Sequence, residues 1–286
     1  MGAPNKVVFT MYYIISQFLT PQLGCEGGKN TEEFISFANI YSIYLFLYKR
    51  LSMQIFYAPD IISNTYTLDP NESKHLIRVL RMAKGAHVRL IDGKGNLYEG
   101  IINEPDQTSC IIEITGKIAD FEKRNYRLHM AISPLKNPER FEWLIEKIVE
   151  IGVDEITPII CKNTEKPGIK SGRINNIIVS AMKQSLKANR PILNDPCAFK
   201  DFICTDLGDI RMIAHCNDSI ARNRLSDVYS KNANAVIMIG PEGDFNTEEI
   251  NSAVGWGFKS IHLGPSRLRT ETAGVAACHS ISFLNQ

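Results

Sequence analysis

Val236-Ile-Met-Ile-Gly-Pro-Glu-Gly-Asp-Phe245 runs into a short helical segment and then into Ile261-His-Leu-Gly-Pro-Ser-Arg-Leu-Arg-Thr-Glu-Thr-Ala-Gly274. Twice, an apolar run meets a Gly-Pro loop and a helix start. Four consecutive apolar residues, Val236 to Ile239, suit a strand buried on both faces, as in a parallel sheet. Gly240-Pro241-Glu242-Gly243 then turns the backbone without a bulky side chain in the way. Asn246 and Glu249 have the spacing of a capping box, so a helix starts there. Ile261 to Leu263 reads as the second strand and Gly264-Pro265 as the second loop, with Thr270 or Thr272 expected to cap the last helix.

Either loop alone is explained by turn chemistry. Together they form a concave, backbone-lined pocket, because open α/β sheets bind ligands at the carboxyl ends of their strands. Arg269 and Glu271 are not needed for turning. They make that pocket a candidate for acid–base and anion-stabilising chemistry.

Gly240-Pro241-Glu242-Gly243, Leu263-Gly264 and Leu268-Arg269-Thr270-Glu271-Thr272-Ala273 resemble the two signature loops of the SPOUT methyltransferases. The closer resemblance is to the branch that methylates N3 of a uridine in 16S (small-subunit) ribosomal RNA. It covers about residues 53–286 and implies a C-terminal parallel α/β domain with a trefoil knot, preceded by a small PUA-like β-barrel domain. It also implies a cytoplasmic homodimer acting on 16S rRNA with S-adenosyl-L-methionine as cofactor. Sequence rules alone argue against a knot, because threaded chains are very rare. The resemblance assigns cofactor binding to Gly240, Pro241, Glu242, Gly243, Leu263, Gly264, Leu268 and Arg269, and catalysis to Arg269 and Glu271. Uridine N3 carries a proton and needs a base. For Glu271 two readings stand, that base or a first-turn acid favoured by the helix dipole. Two departures are visible: Asp244 stands where a third glycine is usual, and Ser266-Arg267 shifts an arginine by one place.

The 286 residues suffice for two domains with a sizeable core. Their 44% hydrophobic and 22% charged content is ordinary for a globular protein. The net charge of +1 gives no global attraction to nucleic acid, so RNA binding requires a local basic patch. Seven cysteines, an odd count without Cys-x-x-Cys, read as reduced, mostly core thiols, with no metal site.

Residues 1–52 differ in character from the rest of the chain. Their apolar runs, 7–19 and 34–47, fall short of the roughly 20 residues of a membrane span. They read as a non-homologous N-terminal extension from an upstream start, with a membrane anchor as the alternative and no membrane partner expected. Residues 53–119 read as the PUA-like RNA-binding domain, with strands at 54–57, 87–91, 97–103 and 109–115. A helix over 70–82 has Leu76, Val79, Leu80 and Ala83 inward. On it Lys74, Arg78 and Arg81 recur at i, i+4, i+7. They are either a solvated face or a phosphate-contacting stripe, and the resemblance favours RNA.

Residues 120–126 form a charged connector, and the methyltransferase domain spans 127–286. The spacing predicts strands at 128–133, 155–160 and 211–215 and helices at 139–151 and 171–188. Glu142, Glu146 and Glu150 share a helix face and read as solvated charge. Gln184-Ser185 with Arg190 resembles a family segment, so Arg190 is a candidate RNA or pocket contact, against the plain reading of a basic helix end. His215 ends a strand near the pocket, where a structural histidine is the commoner case. A small-residue stripe, Ala273, Gly274, Ala276 and Ala277, permits close approach to the sheet or to a second subunit. Two other classes compete: a noncatalytic RNA-binding protein and another nucleotide-binding enzyme. Intact donor loops oppose the first. The second lacks Gly-x-Gly-x-x-Gly and a Gly-Lys-Ser/Thr loop.

Overall fold

The computed structural model describes residues 55–205, 208 and 210–286. The expected extension at 1–52 lies outside the described residues. Residues 54–286 form one compact unit holding two sheets.

The first sheet has the order β1-β3-β4-β5-β2, built from β1 (Ile55–Tyr57), β2 (Thr65–Thr67), β3 (His87–Ile91), β4 (Leu97–Glu104) and β5 (Ile111–Ile118). The short, exposed β2 was not expected from the sequence. Asp106 sets the start of β5 by accepting from the N–H groups of Thr108 and Ser109 at 2.7 and 2.9 Å.

The predicted helix over 70–82 is the main local correction. α1 (Pro70–Lys74), capped by Asp69, passes at once into a π turn, His75–Val79. Its wide turn is closed by Leu80 N–H on the His75 carbonyl at 3.0 Å. One extra residue in the turn rotates every later side chain about the helix axis. Leu76 stays fully buried, but Val79 is 63% exposed and Ala83 also faces solvent. Arg81 lies beyond the helix at φ 54°, so it does not continue the helical face of Lys74 and Arg78, although all three are exposed.

The second sheet is parallel, in the order β11-β13-β10-β12-β6-β7-β8, with β9 also on β7. Its strands are β6 (Leu128–Ile132), β7 (Glu155–Ile160), β8 (Ile192–Leu193), β9 (Cys197–Ala198), β10 (Ile210–Ala214), β11 (Asn223–Arg224), β12 (Ala235–Ile239) and β13 (Lys259–His262). Both β6 and β12 are buried along their whole length, as their unbroken apolar sequences require. Alternate residues feed two cores. Met130, Ile132, Ile237 and Ile239 meet α2 (Pro138–Ile151), α3 (Ser171–Gln184) and α7 (Thr270–Leu284). Ala131, Val236 and Met238 meet α4 (Phe199–Ile203) and α6 (Thr247–Gly255). A short α5 (Leu225–Val228) precedes β12.

α3 stops at Gln184 rather than 188. Ser185 Oγ bonds back to the Ala181 carbonyl at 2.7 Å, and Leu186 takes φ 60°. Three glutamates of α2 are ion-paired: Glu142 with Arg173 at 2.5 Å, and Glu146 and Glu150 with Lys147 at 2.6 and 3.0 Å. The charged connector is pinned, with Arg124 donating to the Gly152 carbonyl and pairing with Asp154, both at 2.5 Å. Of the described cysteines, Cys110, Cys161 and Cys278 are buried, whereas Cys204 and Cys216 are exposed.

The two sheets share a core: Ile55, Ile91 and Leu97 of the first join Leu128 of the second, Leu144 of α2 and Ile178 of α3. Backbone bonds Arg190 N to Gly93 O (2.9 Å) and Gly95 N to Ala188 O (3.0 Å) and an ion pair of Lys183 with Glu72 cross the same junction. The small-residue stripe on α7 serves α2. A Cβ at Gly274 would stand 2.7 Å from Leu144 Cδ1, and Leu144 is fully buried. Gly274→Val is therefore expected to lower stability by about 1–3 kcal/mol through overpacking. Urea unfolding checks it, and an unchanged midpoint would remove the close-approach argument.

Candidate active site

Parallel register builds the site. β10 lies between β12 and β13, with Ala214 opposite Ile239 on one side and Ile261 on the other. The loops after these three strands therefore begin side by side. With the N-terminus of α7 they line a cleft of about 1580 Å³.

Gly240 and Pro241 are buried at the end of β12, and the turn closes with Asp244 N–H on the Pro241 carbonyl at 2.9 Å. A side chain at Gly240 would meet the Phe245 ring at 3.1 Å, so this glycine makes room for protein packing. Glu242 lines the cleft and accepts from Lys136 N–H at 2.9 Å. Gly243 is not among the lining residues. Its carbonyl faces Asn163 Nδ2 at 3.1 Å. Asp244, at φ 61°, shows why glycine suits this place. The aspartate compensates with its carboxylate, which accepts from Phe245 N–H at 2.8 Å and from Cys216 N–H at 2.7 Å. It thereby ties the β12 loop to the β10 loop.

In the second loop Leu263, Gly264 and Leu268 all line the cleft. Gly264 has φ 123°, a conformation closed to other residues, and open space where its Cβ would be. Neither Thr270 nor Thr272 caps α7. Arg269 holds the N-cap position without a side-chain cap bond, so the first N–H groups of the helix, at buried Thr270 and Glu271, border the cleft uncapped by a side chain. Such a terminus is electropositive. Glu271 is held by Arg140, Nη1 to Oε1 3.7 Å.

Five arginines line this cleft: Arg140, Arg222, Arg224, Arg267 and Arg269. Arg222 pairs with Asp218 at 2.5 Å; Arg224, Arg267 and Arg269 make no ion pair among the described residues. Asp218, Glu242, Asp244 and Glu271 line the same cleft, so five arginines stand against four carboxylates and the lining carries no large net charge. Sequence reasoning missed Arg140, Arg222 and Arg224, whose distant positions only the fold brings together. His215 is buried on the cleft floor. Arg190 lies elsewhere. It turns inward, with Nη2 on Asn175 Oδ1 at 2.7 Å and its guanidinium 6.0 Å from the Tyr57 ring.

The family described as RNA methyltransferase domain matches residues 122–282, and the RNA methyltransferase PUA domain matches residues 68–115. The chain belongs to the RNA methyltransferase family. A relative in Mesomycoplasma hyopneumoniae, ribosomal RNA small subunit methyltransferase E, is 33% identical over 169 residues, 57% of this chain and 72% of the relative. Among solved structures, a probable rRNA-methyltransferase from Porphyromonas gingivalis is 41% identical with TM-score 0.77, covering 82% of this chain and 98% of that one. The ribosomal RNA small subunit methyltransferase E of Neisseria gonorrhoeae, bound to S-adenosyl methionine, is 26% identical with TM-score 0.74, covering 81% and 98%. The expected architecture therefore stands for this RNA methyltransferase: an α/β domain of the SPOUT type preceded by a PUA-like domain.

The role of Asp244 can be separated into strain and hydrogen bonding. Asp244→Gly and Asp244→Ala both lose two bonds and are expected to lower stability by about 1–3 kcal/mol. Alanine should cost about 1–2 kcal/mol more, because it also keeps the left-handed strain. Equal losses in urea titrations would refute the strain component.

Proposed function

We propose that this protein is an S-adenosyl-L-methionine-dependent methyltransferase that methylates N3 of a uridine in 16S ribosomal RNA. The observation that carries this reading is the convergence of both glycine loops and an uncapped helix N-terminus on one arginine-lined cleft. The Mesomycoplasma and Neisseria relatives act on small-subunit ribosomal RNA by name, and the Neisseria structure holds S-adenosyl methionine. The residues present fit that cofactor. Its loops offer backbone groups at Gly240, Leu263 and Gly264, and Gly264 leaves open space for a close approach.

When bound, the cofactor supplies a methyl group activated by a cationic sulfur. Uridine N3 must lose its proton as the N–C bond forms, and we assign Glu271 to accept it. Arg269 and the N–H groups at the start of α7 steady the negative charge on the uracil oxygens. Arg140 orients the Glu271 carboxylate. Much of the acceleration then comes from holding base and nucleophile in place.

In this reading residues 53–119 are the PUA-like RNA-binding domain, 127–286 the methyltransferase domain, and 1–52 a non-homologous extension. Lys74, Arg78 and Arg81 contact RNA phosphates, and Arg190 instead braces the junction. A trefoil knot is supported by β12 sitting between β6 and β10, and by α7 returning from edge-side β13 to pack on α2 and β6. A homodimer is supported by Phe283, 62% exposed on α7 beside the cleft. A cytoplasmic site of action follows from the proposed ribosomal RNA substrate; no helix among the described residues is long and apolar enough to cross a membrane.

Calorimetry with S-adenosyl-L-methionine and turnover on small-subunit RNA test the reading together. Gly264→Val is expected to abolish donor binding while RNA binding survives. Glu271→Gln is expected to keep donor affinity and lower kcat by about 10²–10⁴-fold. Methylation by Gly264→Val at the wild-type rate would contradict the pocket assignment. For the RNA face, Arg78→Ala should reduce the slope of log K against log salt by about 0.7–0.9. An unchanged slope would remove Arg78 from that face.

A further inference from the structure

His215 is 4% exposed, and both of its ring nitrogens are buried without a hydrogen-bond partner among the described residues. A neutral imidazole carries one donor and one acceptor, and leaving such groups unmet in a folded interior is costly. The residue follows Ala214 in β10, so the sheet register sets it level with Gly240 on one side and His262 on the other. It thus stands on the cleft floor between the two loops.

Its backbone is fully engaged. His215 N–H meets the Ile261 carbonyl at 3.4 Å, and its carbonyl accepts from Arg222 Nη1 at 2.9 Å. The next residue is fastened to Asp244. The main chain is held on every side while the ring has no protein partner among the described residues. His129 provides an internal comparison. It is a buried histidine on β6 of the same sheet, and its Nε2 has Thr157 Oγ1 at 2.7 Å. This fold can satisfy a structural histidine.

Burial holds the His215 imidazole below its ordinary pKa, against the carboxylate of Asp244 and with the guanidinium of Arg222. It is therefore uncharged near neutrality, compatible with a cationic sulfonium nearby. We propose that His215 is a donor-contacting residue, its ring hydrogen-bonding a polar group of the bound S-adenosyl-L-methionine. This rests on the proposed methyltransferase function and adds a residue that neither glycine loop contains.

The test uses full-length protein labelled with ¹⁵N-histidine, the His215 signals being assigned by their loss in His215→Phe. Saturating S-adenosyl-L-methionine is expected to shift the His215 ring nitrogens toward a single tautomer. His215→Phe is expected to weaken donor binding by about tenfold to a hundredfold, the worth of one or two buried hydrogen bonds. Without donor, the same variant should melt at or above the wild-type temperature, since it removes two unmet polar atoms. A structural histidine would instead lower it. Donor heat in the wild type with unmoved His215 signals overturns this inference alone. Signals that move only on adding RNA also overturn it, and no donor heat at all overturns the proposed function with it.

Discussion

Ala214 stands opposite Ile239 on one side and Ile261 on the other, and parallel backbone hydrogen bonds keep it there. That register brings three loop starts to one level at the carboxyl edge of the sheet. A slip of one residue would turn every β10 side chain to the other face. It would exchange Ala214 with His215 and Met212 with Ile213, moving apolar groups between two separately packed cores. Apolar packing on both faces therefore fixes the cleft before any polar residue in it contributes. Asp244 then fastens two of the three loops to each other.

A second constraint joins the first sheet to the second. Ile55, Ile91 and Leu97 bury themselves in the same core as α2 and α3, and backbone bonds link Gly93 to Arg190 and Gly95 to Ala188. A flexible tether would leave orientation to chance, whereas a shared core does not. The inward turn of Arg190 belongs to this junction. Its guanidinium spans Tyr57 and Asn175, so its charge supports the placing of one sheet against the other.

Much of this was legible because it is local. The all-apolar run of β12, the Asn246–Glu249 capping box and the amphipathic α2 each derive from neighbours in sequence, and each is present. The π turn at His75–Val79 was not legible, since its extra residue leaves an apparently regular helical pattern and only the burial of Leu76 against exposed Val79 reveals the slip. Gly240 lines the cleft, and its second role, making room for packing, was not legible for a related reason. Its neighbour in space, the Phe245 ring, is supplied by the turn itself. The arginine lining was invisible because Arg140 and Arg222 lie outside both glycine loops in sequence.

Polar satisfaction shows where the fold is incomplete by itself. Asn137 caps α2 and Asn246 caps α6, each accepting from the first turn. α3 begins without a side-chain cap, but at exposed Lys170, where water serves. The start of α7 also lacks a side-chain cap although Thr270 and Glu271 are buried, as do the short α4 at buried Phe199 and α5 at buried Leu225. His215 repeats the pattern one strand away, with a fastened backbone and an unmet ring. The deficits at α7 and His215 border the same cleft. Glu72 Oε2, Arg190 Nε and Ser260 Oγ are also buried without a partner, but none of these residues lines the cleft. Hydrogen-bond demand left open where a cleft reaches it is demand a ligand can meet.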